Sequence, residues 1–157
     1  MDTPSQSPFV FAATLSAKPW GVARDTALII EDNDGIARLL IVLLEKCGLQ
    51  VIWCQSGQEA LEQFTARKHS IALVISDCRL PDGDGRDICQ VIREQLPEVP
   101  LLLTSGSSAC LNLGPIKSER LVRFMAKPYT PCEMLGHVEK LQAEAMPVST
   151  TISAGFV

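Results

Sequence analysis

Apolar residues along this chain fall into two alternating patterns: short continuous runs, and longer stretches in which they recur every three or four positions. The runs Ala27–Ile30, Val51–Cys54, Ile71–Ser76, Leu101–Thr104 and Leu121–Met125 predict β-strands. Ile71–Ser76 has no polar residue before Ser76 and ends at Asp77 in a Pro/Gly/Asp turn, the pattern of a strand buried on both faces of a parallel sheet. The first run ends in Glu31, Asp32, Asn33 and Asp34, polar residues able to cap a helix.

Helical spacing follows each of the first three strands. Ile36, Leu39, Leu40, Leu43, Leu44 and Cys47 predict a first helix, which Gly48 stops. Ser56 with Glu59 forms a capping-box pattern ahead of Ala60, Leu61 and Phe64. Ile88, Val91, Ile92 and Leu96 predict a third helix, ended by Pro97 and Pro100. Thr130, Pro131 and Glu133 open a last helix that carries Leu135, Val138 and Leu141 on one face and ends before Pro147. Between the fourth and fifth strands, Ser105–Arg120 is interrupted by Gly106, Gly114 and Pro115, so a short or broken helix is expected there. Strands alternating with helices through short connections predict a doubly wound α/β parallel sheet with helices on both faces.

Length adds that the 157 residues make one folded unit, read as 25–146 between a disordered tail at 1–24 and a second tail at 147–157. The net charge of −4 and the lack of a basic stripe argue against nucleic-acid binding. No apolar run reaches the ~20 residues of a membrane span, and no export signal is read, so a cytoplasmic location is expected. Cys47, Cys54, Cys78, Cys89, Cys110 and Cys132 have no metal-site spacing and read as free thiols in a reducing compartment. His69 and His137 have no Cys or carboxylate at ligand spacing and read as surface or satisfied side chains.

The candidate chemistry lies at one rim. Parallel strands all end at the same edge, where Glu31, Asp32, Asp77, Thr104 or Ser105, and Lys127 come together. Clustered carboxylates repel unless a cation neutralises them, and a sparse oxygen set suits Mg²⁺. A lysine and a hydroxyl opposite could bind phosphoryl oxygens, and an aspartate can act as nucleophile toward phosphorus. Singly, each residue has a plainer role. Glu31, Asp32 and Asp34 could cap a helix, Asp77 could form a turn, Lys127 could be a solvated charge, and Phe124 could be core.

Taken together, Glu31-Asp32, Asp77, Leu80-Pro81-Asp82-Gly83-Asp84-Gly85, Thr104-Ser105-Gly106 and Lys127-Pro128-Tyr129 resemble the receiver domain of bacterial two-component response regulators, over about Ala27–Ala145. The resemblance implies a flavodoxin-like, five-stranded sheet in the order 2-1-3-4-5 and phosphorylation of Asp77 by a histidine kinase or phosphotransfer protein. It implies that Asp32 and Asp77 bind Mg²⁺ by side chain, Arg79 by its backbone carbonyl, and Glu31 through a metal-bound water. Lys127 would contact the phosphoryl group. Ser105, five residues after Pro100 and directly before Gly106, would be the switching hydroxyl, and Phe124 the aromatic switch. With no output domain after Val157, the expected readout is contact with a downstream protein or onward phosphotransfer, by a monomer or weak homodimer that assists its own phosphorylation and dephosphorylation. Two other readings remain: a receiver-like binding module that is never phosphorylated, and an aspartate-nucleophile phosphatase. Against the second, Arg79 stands where haloacid dehalogenase-type enzymes place a second acid. Cys78, beside Asp77, could add redox sensitivity but reads first as an inert thiol.

Overall fold

The computed structural model describes residues 24–107 and 120–146. Its elements follow in the order β1 (Thr26–Ile30), α1 (Asp34–Lys46), β2 (Gln50–Cys54), α2 (Gly57–Arg67), β3 (Ile71–Asp77), a ribbon of β4 (Arg79–Leu80) and β5 (Gly83–Asp84), α3 (Gly85–Gln95), β6 (Leu101–Ser105), β7 (Val122–Ala126) and α4 (Pro131–Ala145). The main sheet has five parallel strands in the order β2-β1-β3-β6-β7. Leaving out the ribbon, that is the order 2-1-3-4-5. The strand order reverses between β1 and β3, and the carboxyl ends of strands flanking such a reversal are the usual ligand position in these sheets.

Burial explains why the strand runs were readable. All seven residues of β3 and all five of β1 and β6 are buried, whereas β2, at the edge, is buried only at Cys54. Two apolar layers enclose the sheet. Ala60 and Phe64 of α2 pack with Cys89 and Ile92 of α3 against Leu28, Val74 and Leu103. Leu40 and Leu44 of α1 pack with Met134, Val138 and Leu141 of α4 against Ile29, Leu73, Ile75 and Leu102.

The helix stripes are narrower than their apolar spacing suggests. Leu39 and Val91 are each 38% exposed. The buried residues of α1 are Ala37, Leu40 and Leu44, and those of α3 include Cys89, Ile92 and the charged Arg93. One i, i+3, i+4 stripe covers a limited arc, and Leu39 and Val91 lie beyond its edge. Arg93 is buried because its guanidinium donates to the carbonyls of Pro97, Arg120 and Leu121. The last strand starts one residue later than expected because Leu121 has a φ of 66°, which breaks the extended conformation.

Helix starts follow the capping residues. Asn33, Ser56 and Thr130 accept from Ile36, Glu59 and Glu133 N–H respectively. Only Thr130 completes a reciprocal capping box; Glu59 accepts instead from Gln55 N–H. Cys47, Cys54, Cys78 and Cys89 are buried and outside any disulfide, while Cys132 in the first turn of α4 is exposed. The expected helix between β6 and β7, Cys110, and nearly all of both expected tails fall outside the described residues. No helix among the described residues is long and apolar enough to cross a membrane.

Candidate functional site

The site residues lie where strands give way to loops, and at three of these exits a backbone hydrogen bond extends the pairing one residue beyond the strand. Glu31 N–H donates to Cys54 O (3.0 Å), Cys78 N–H to Thr104 O (2.8 Å) and Lys127 N–H to Ser105 O (2.7 Å). These bonds carry the sheet's rigidity one step into the site. They bring together residues far apart in sequence: one carboxylate oxygen each from Glu31, Asp32 and Asp77 lie within 4.8 Å of one another.

Lys127 sits among these acids. Its Nζ donates to Asp77 Oδ2 at 2.9 Å and to Glu31 Oε2 at 3.0 Å. Glu31 is 2% exposed, so its charge would be costly without this partner. Burial pushes the Glu31 carboxyl above its ordinary range, against the pull of the Asn33 N–H and of Lys127. For Lys127, burial favours the neutral amine, but the bonds to Asp77 and Glu31 outweigh it and hold the ammonium above its ordinary value. Asp32 is exposed. Three clustered carboxylates against one ammonium leave an all-oxygen, net-negative donor set. That set fits a small hard cation such as Mg²⁺, which accepts a few carboxylates and keeps its remaining positions for water and phosphoryl oxygens.

The loop after Asp77 is fixed from three directions. Arg79 N–H donates to Asp77 Oδ1 (3.2 Å) and Gly85 N–H to Cys78 O (2.9 Å). A Cβ on Gly85 would lie 1.9 Å from Asp77 O and 2.6 Å from Ser76 Oγ, so only glycine lets α3 begin this close to the end of β3. Asp82 reaches across to α2, where its carboxylate accepts from Gly57 and Gln58 N–H at 2.8 Å each. Those two amide bonds hold the Asp82 carboxyl below its usual range. Asp82 is therefore both a turn residue and part of the α2 cap, a role invisible in sequence because its partners lie 24 and 25 residues away.

Of the residues singled out in the sequence, Glu31, Asp32, Asp77 and Lys127 converge and Arg79 touches Asp77. Ser105 and Phe124 lie on the two neighbouring strands β6 and β7. Thr104 is the register partner of Asp77, whereas strand alternation puts Ser105 on the face of Leu103, which Phe124 also packs against. Ser105 Oγ is bonded to the Ser107 backbone, accepting from its N–H at 3.1 Å and donating to its carbonyl at 3.2 Å. His137, read as surface or satisfied, is partly buried, and its Nδ1 has no hydrogen-bond partner among the described residues. Trp53 was not singled out, yet its indole Nε1–H donates to the Glu31 carbonyl at 2.8 Å.

The geometry has clear relatives. The chain is 31% identical over 129 residues to the transcriptional regulatory protein CssR of Bacillus subtilis (strain 168), covering 78% of this chain and 55% of that protein. It is 29% identical over 120 residues to the alkaline phosphatase synthesis transcriptional regulatory protein PhoP of the same organism, covering 73% and 47%. The chain spans about half the length of the curated relatives it matches. Among solved structures, a response regulator receiver domain protein from Clostridium thermocellum superposes with a TM-score of 0.67 at 26% identity, over 75% of this chain and 94% of that one. A putative response regulator from Chloroflexus aurantiacus J-10-fl gives a TM-score of 0.65 at 29% identity, over 76% and 98%. The family model for the response regulator receiver domain matches residues 27–139. The chain belongs to the response regulator receiver domain family, the phosphoacceptor domains of two-component signalling.

Proposed function

We propose that this chain is a phosphorylation switch in which Asp77 accepts a phosphoryl group from the phosphohistidine of a histidine kinase or a histidine phosphotransfer protein. The observation that carries the reading is Asp77 at the end of a wholly buried strand with the Lys127 ammonium 2.9 Å from its Oδ2. In the transfer, an Asp77 carboxylate oxygen attacks phosphorus. The P–N bond to the donor imidazole breaks as the P–O bond forms, and its electron pair leaves with the imidazole. Lys127 moves from balancing two carboxylates to balancing the new phosphoryl oxygens.

Glu31, Asp32, Asp77 and the Arg79 carbonyl would hold Mg²⁺, which when bound neutralises the clustered acids and charge on the transferring group. Ser105 is the switching hydroxyl: it leaves the Ser107 backbone for a phosphoryl oxygen, and Phe124 on the same face repacks in response. The receiver unit comprises 25–146, acts in the cytoplasm, and assists both its own phosphorylation and its own dephosphorylation. Its output is contact with a downstream protein or onward phosphotransfer.

The test is intact-mass measurement after incubation with acetyl phosphate, with and without Mg²⁺, for the native protein and for Asp77→Asn. One phosphoryl adduct that needs both Mg²⁺ and Asp77 is expected. Lack of an adduct from acetyl phosphate or from any kinase, with no Mg²⁺ binding, would overturn the switch in favour of an unphosphorylated binding module. Rapid multiple turnover of a small phosphate ester would point to an enzyme instead.

A further inference from the structure

Glu31 is held more tightly than a helix-capping acid would need, and the extra restraint comes from β2. In the β1–β2 register Ile29 pairs with Trp53 and Ile30 with Cys54. Beyond the last pair, Glu31 N–H donates to Cys54 O at 3.0 Å, and the Trp53 indole donates to Glu31 O at 2.8 Å. Both main-chain polar groups of Glu31 are thus fixed by two adjacent residues of the neighbouring strand.

Only a long side chain can make the second bond. The carbonyl of Glu31 lies two residues beyond the register partner of Trp53, about 6–7 Å along the strand at the usual rise. Phenylalanine, valine or threonine at this position would fit the sheet but would carry no donor that far. The indole combines an apolar body, packed in the layer that holds Leu40 and Ile29, with one N–H at its far edge.

The carbonyl it grips belongs to the peptide that joins Glu31 to Asp32. A peptide is planar, so fixing its oxygen restricts ψ of Glu31 and φ of Asp32 together, and with them the directions in which the two carboxylates leave the chain. The next turn of the loop is closed from within, since Asn33 N–H donates to Glu31 Oε1 at 3.0 Å. Asp32 itself is exposed. Its aim comes from the backbone, and the outer hold on that backbone is Trp53.

We infer that Trp53 is a positioning residue of the acid pair: its indole N–H clamps the Glu31–Asp32 peptide so that Glu31, Asp32 and Asp77 converge on one divalent cation. This rests on the proposed Mg²⁺ site and adds to it a residue outside the cluster. Without the clamp the three acids remain, but the loop samples peptide orientations in which Asp32 turns to solvent. Part of the binding free energy is then spent on restoring the competent one.

Calorimetric titration with Mg²⁺ on the full chain tests this, using Trp53→Phe, which keeps an aromatic body without the donor. Val51→Ala, a packing change on the same strand and layer, provides a comparison for lost stability, with urea unfolding measured on each. Trp53→Phe is expected to raise the Mg²⁺ dissociation constant about three- to tenfold, consistent with loss of one preorganising hydrogen bond. Val51→Ala should leave it within about twofold while lowering stability. In the native protein the Trp53 indole N–H resonance, assigned by its disappearance in Trp53→Phe, should shift with the midpoint of the Mg²⁺ titration, and Asp32→Asn should abolish that shift. Equal Mg²⁺ affinity in native protein and Trp53→Phe, or equal weakening in both variants, overturns the inference alone. No Mg²⁺ binding by the native protein overturns the proposed site as well.

Discussion

The ends of β3 and β6 are adjacent in the sheet, yet they hold their polar side chains in opposite ways. Asp77 is tied across the molecule, to a lysine 50 residues away that also grips an acid 96 residues from it. Ser105 is tied to its own turn, through the Ser107 backbone two residues on. A group cross-linked to two other strand ends keeps its position when its chemistry changes. A hydroxyl bonded within its own turn is released by a small backbone rotation. In the proposed switch, rigidity at Asp77 and local release at Ser105 would supply what a two-state element needs, because the new charge must act on something that has two resting places. Phe124 belongs to the releasable side: it is partly buried, on a strand at the sheet edge.

The contrast can be broken most severely at the acceptor. Gly85→Ala places a methyl group 1.9 Å from the Asp77 carbonyl, a backbone clash with no flexible side chain to absorb it. A loss of about 4 kcal/mol or more in urea unfolding is expected, together with loss of the phosphoryl adduct. Lys127→Ala removes the shared ammonium and leaves two largely buried carboxylates facing each other. About 2–3 kcal/mol should be lost in Mg²⁺-free buffer, less than for a fully buried pair because the site opens to solvent on the Asp32 side. In the proposed site lysine and cation would neutralise the same acids, so added Mg²⁺ should raise the melting temperature of Lys127→Ala by more than it raises that of the native protein. An equal rise in both would show that they do not share those acids.

The reporter side should respond differently. Ser105→Ala loses the bonds to Ser107, and its stability should change by about 1 kcal/mol or less. Its phosphoryl adduct should still form. The chemical-shift changes at Phe124 on phosphorylation should shrink, and full-size changes there would move the switch to another hydroxyl. The smallest effect is at the Asp82 bridge to α2. Its folded-state pKa lies below the ordinary 3.8, so its contribution is present above that value and is lost as pH falls through the lowered one. Native protein and Asp82→Ala should therefore differ in stability at neutral pH and converge as the pH falls through the lowered value of the Asp82 carboxyl, in urea unfolding series at stepped pH.

Much of this could be read from the chain. β1, β3 and β6 were legible because strands covered on both faces are apolar along their middles, with polar residues confined to their ends. Glu31, Asp32, Asp77 and Lys127 were legible as a group because strands of a parallel sheet end at one rim. The outer limits of the helix stripes were not, since Leu39 and Val91 have the same chemistry as their buried neighbours and only the packed arc distinguishes them. The burial of Arg93 depends on carbonyls as far as 28 residues away, and the second role of Asp82 on amides of α2.

By itself the sequence determined where the five strands of the main sheet lie to within about a residue, which ends carry acids, and that those acids need a counter-charge, because hydrophobic periodicity and charge are local properties of the chain. Only the tertiary structure decided that Lys127 spans Glu31 and Asp77, that the Ser105 hydroxyl is bonded to the Ser107 backbone, and that an indole on the edge strand holds the peptide between the two acids. Those are matters of distance between segments, and distance between segments is fixed by packing.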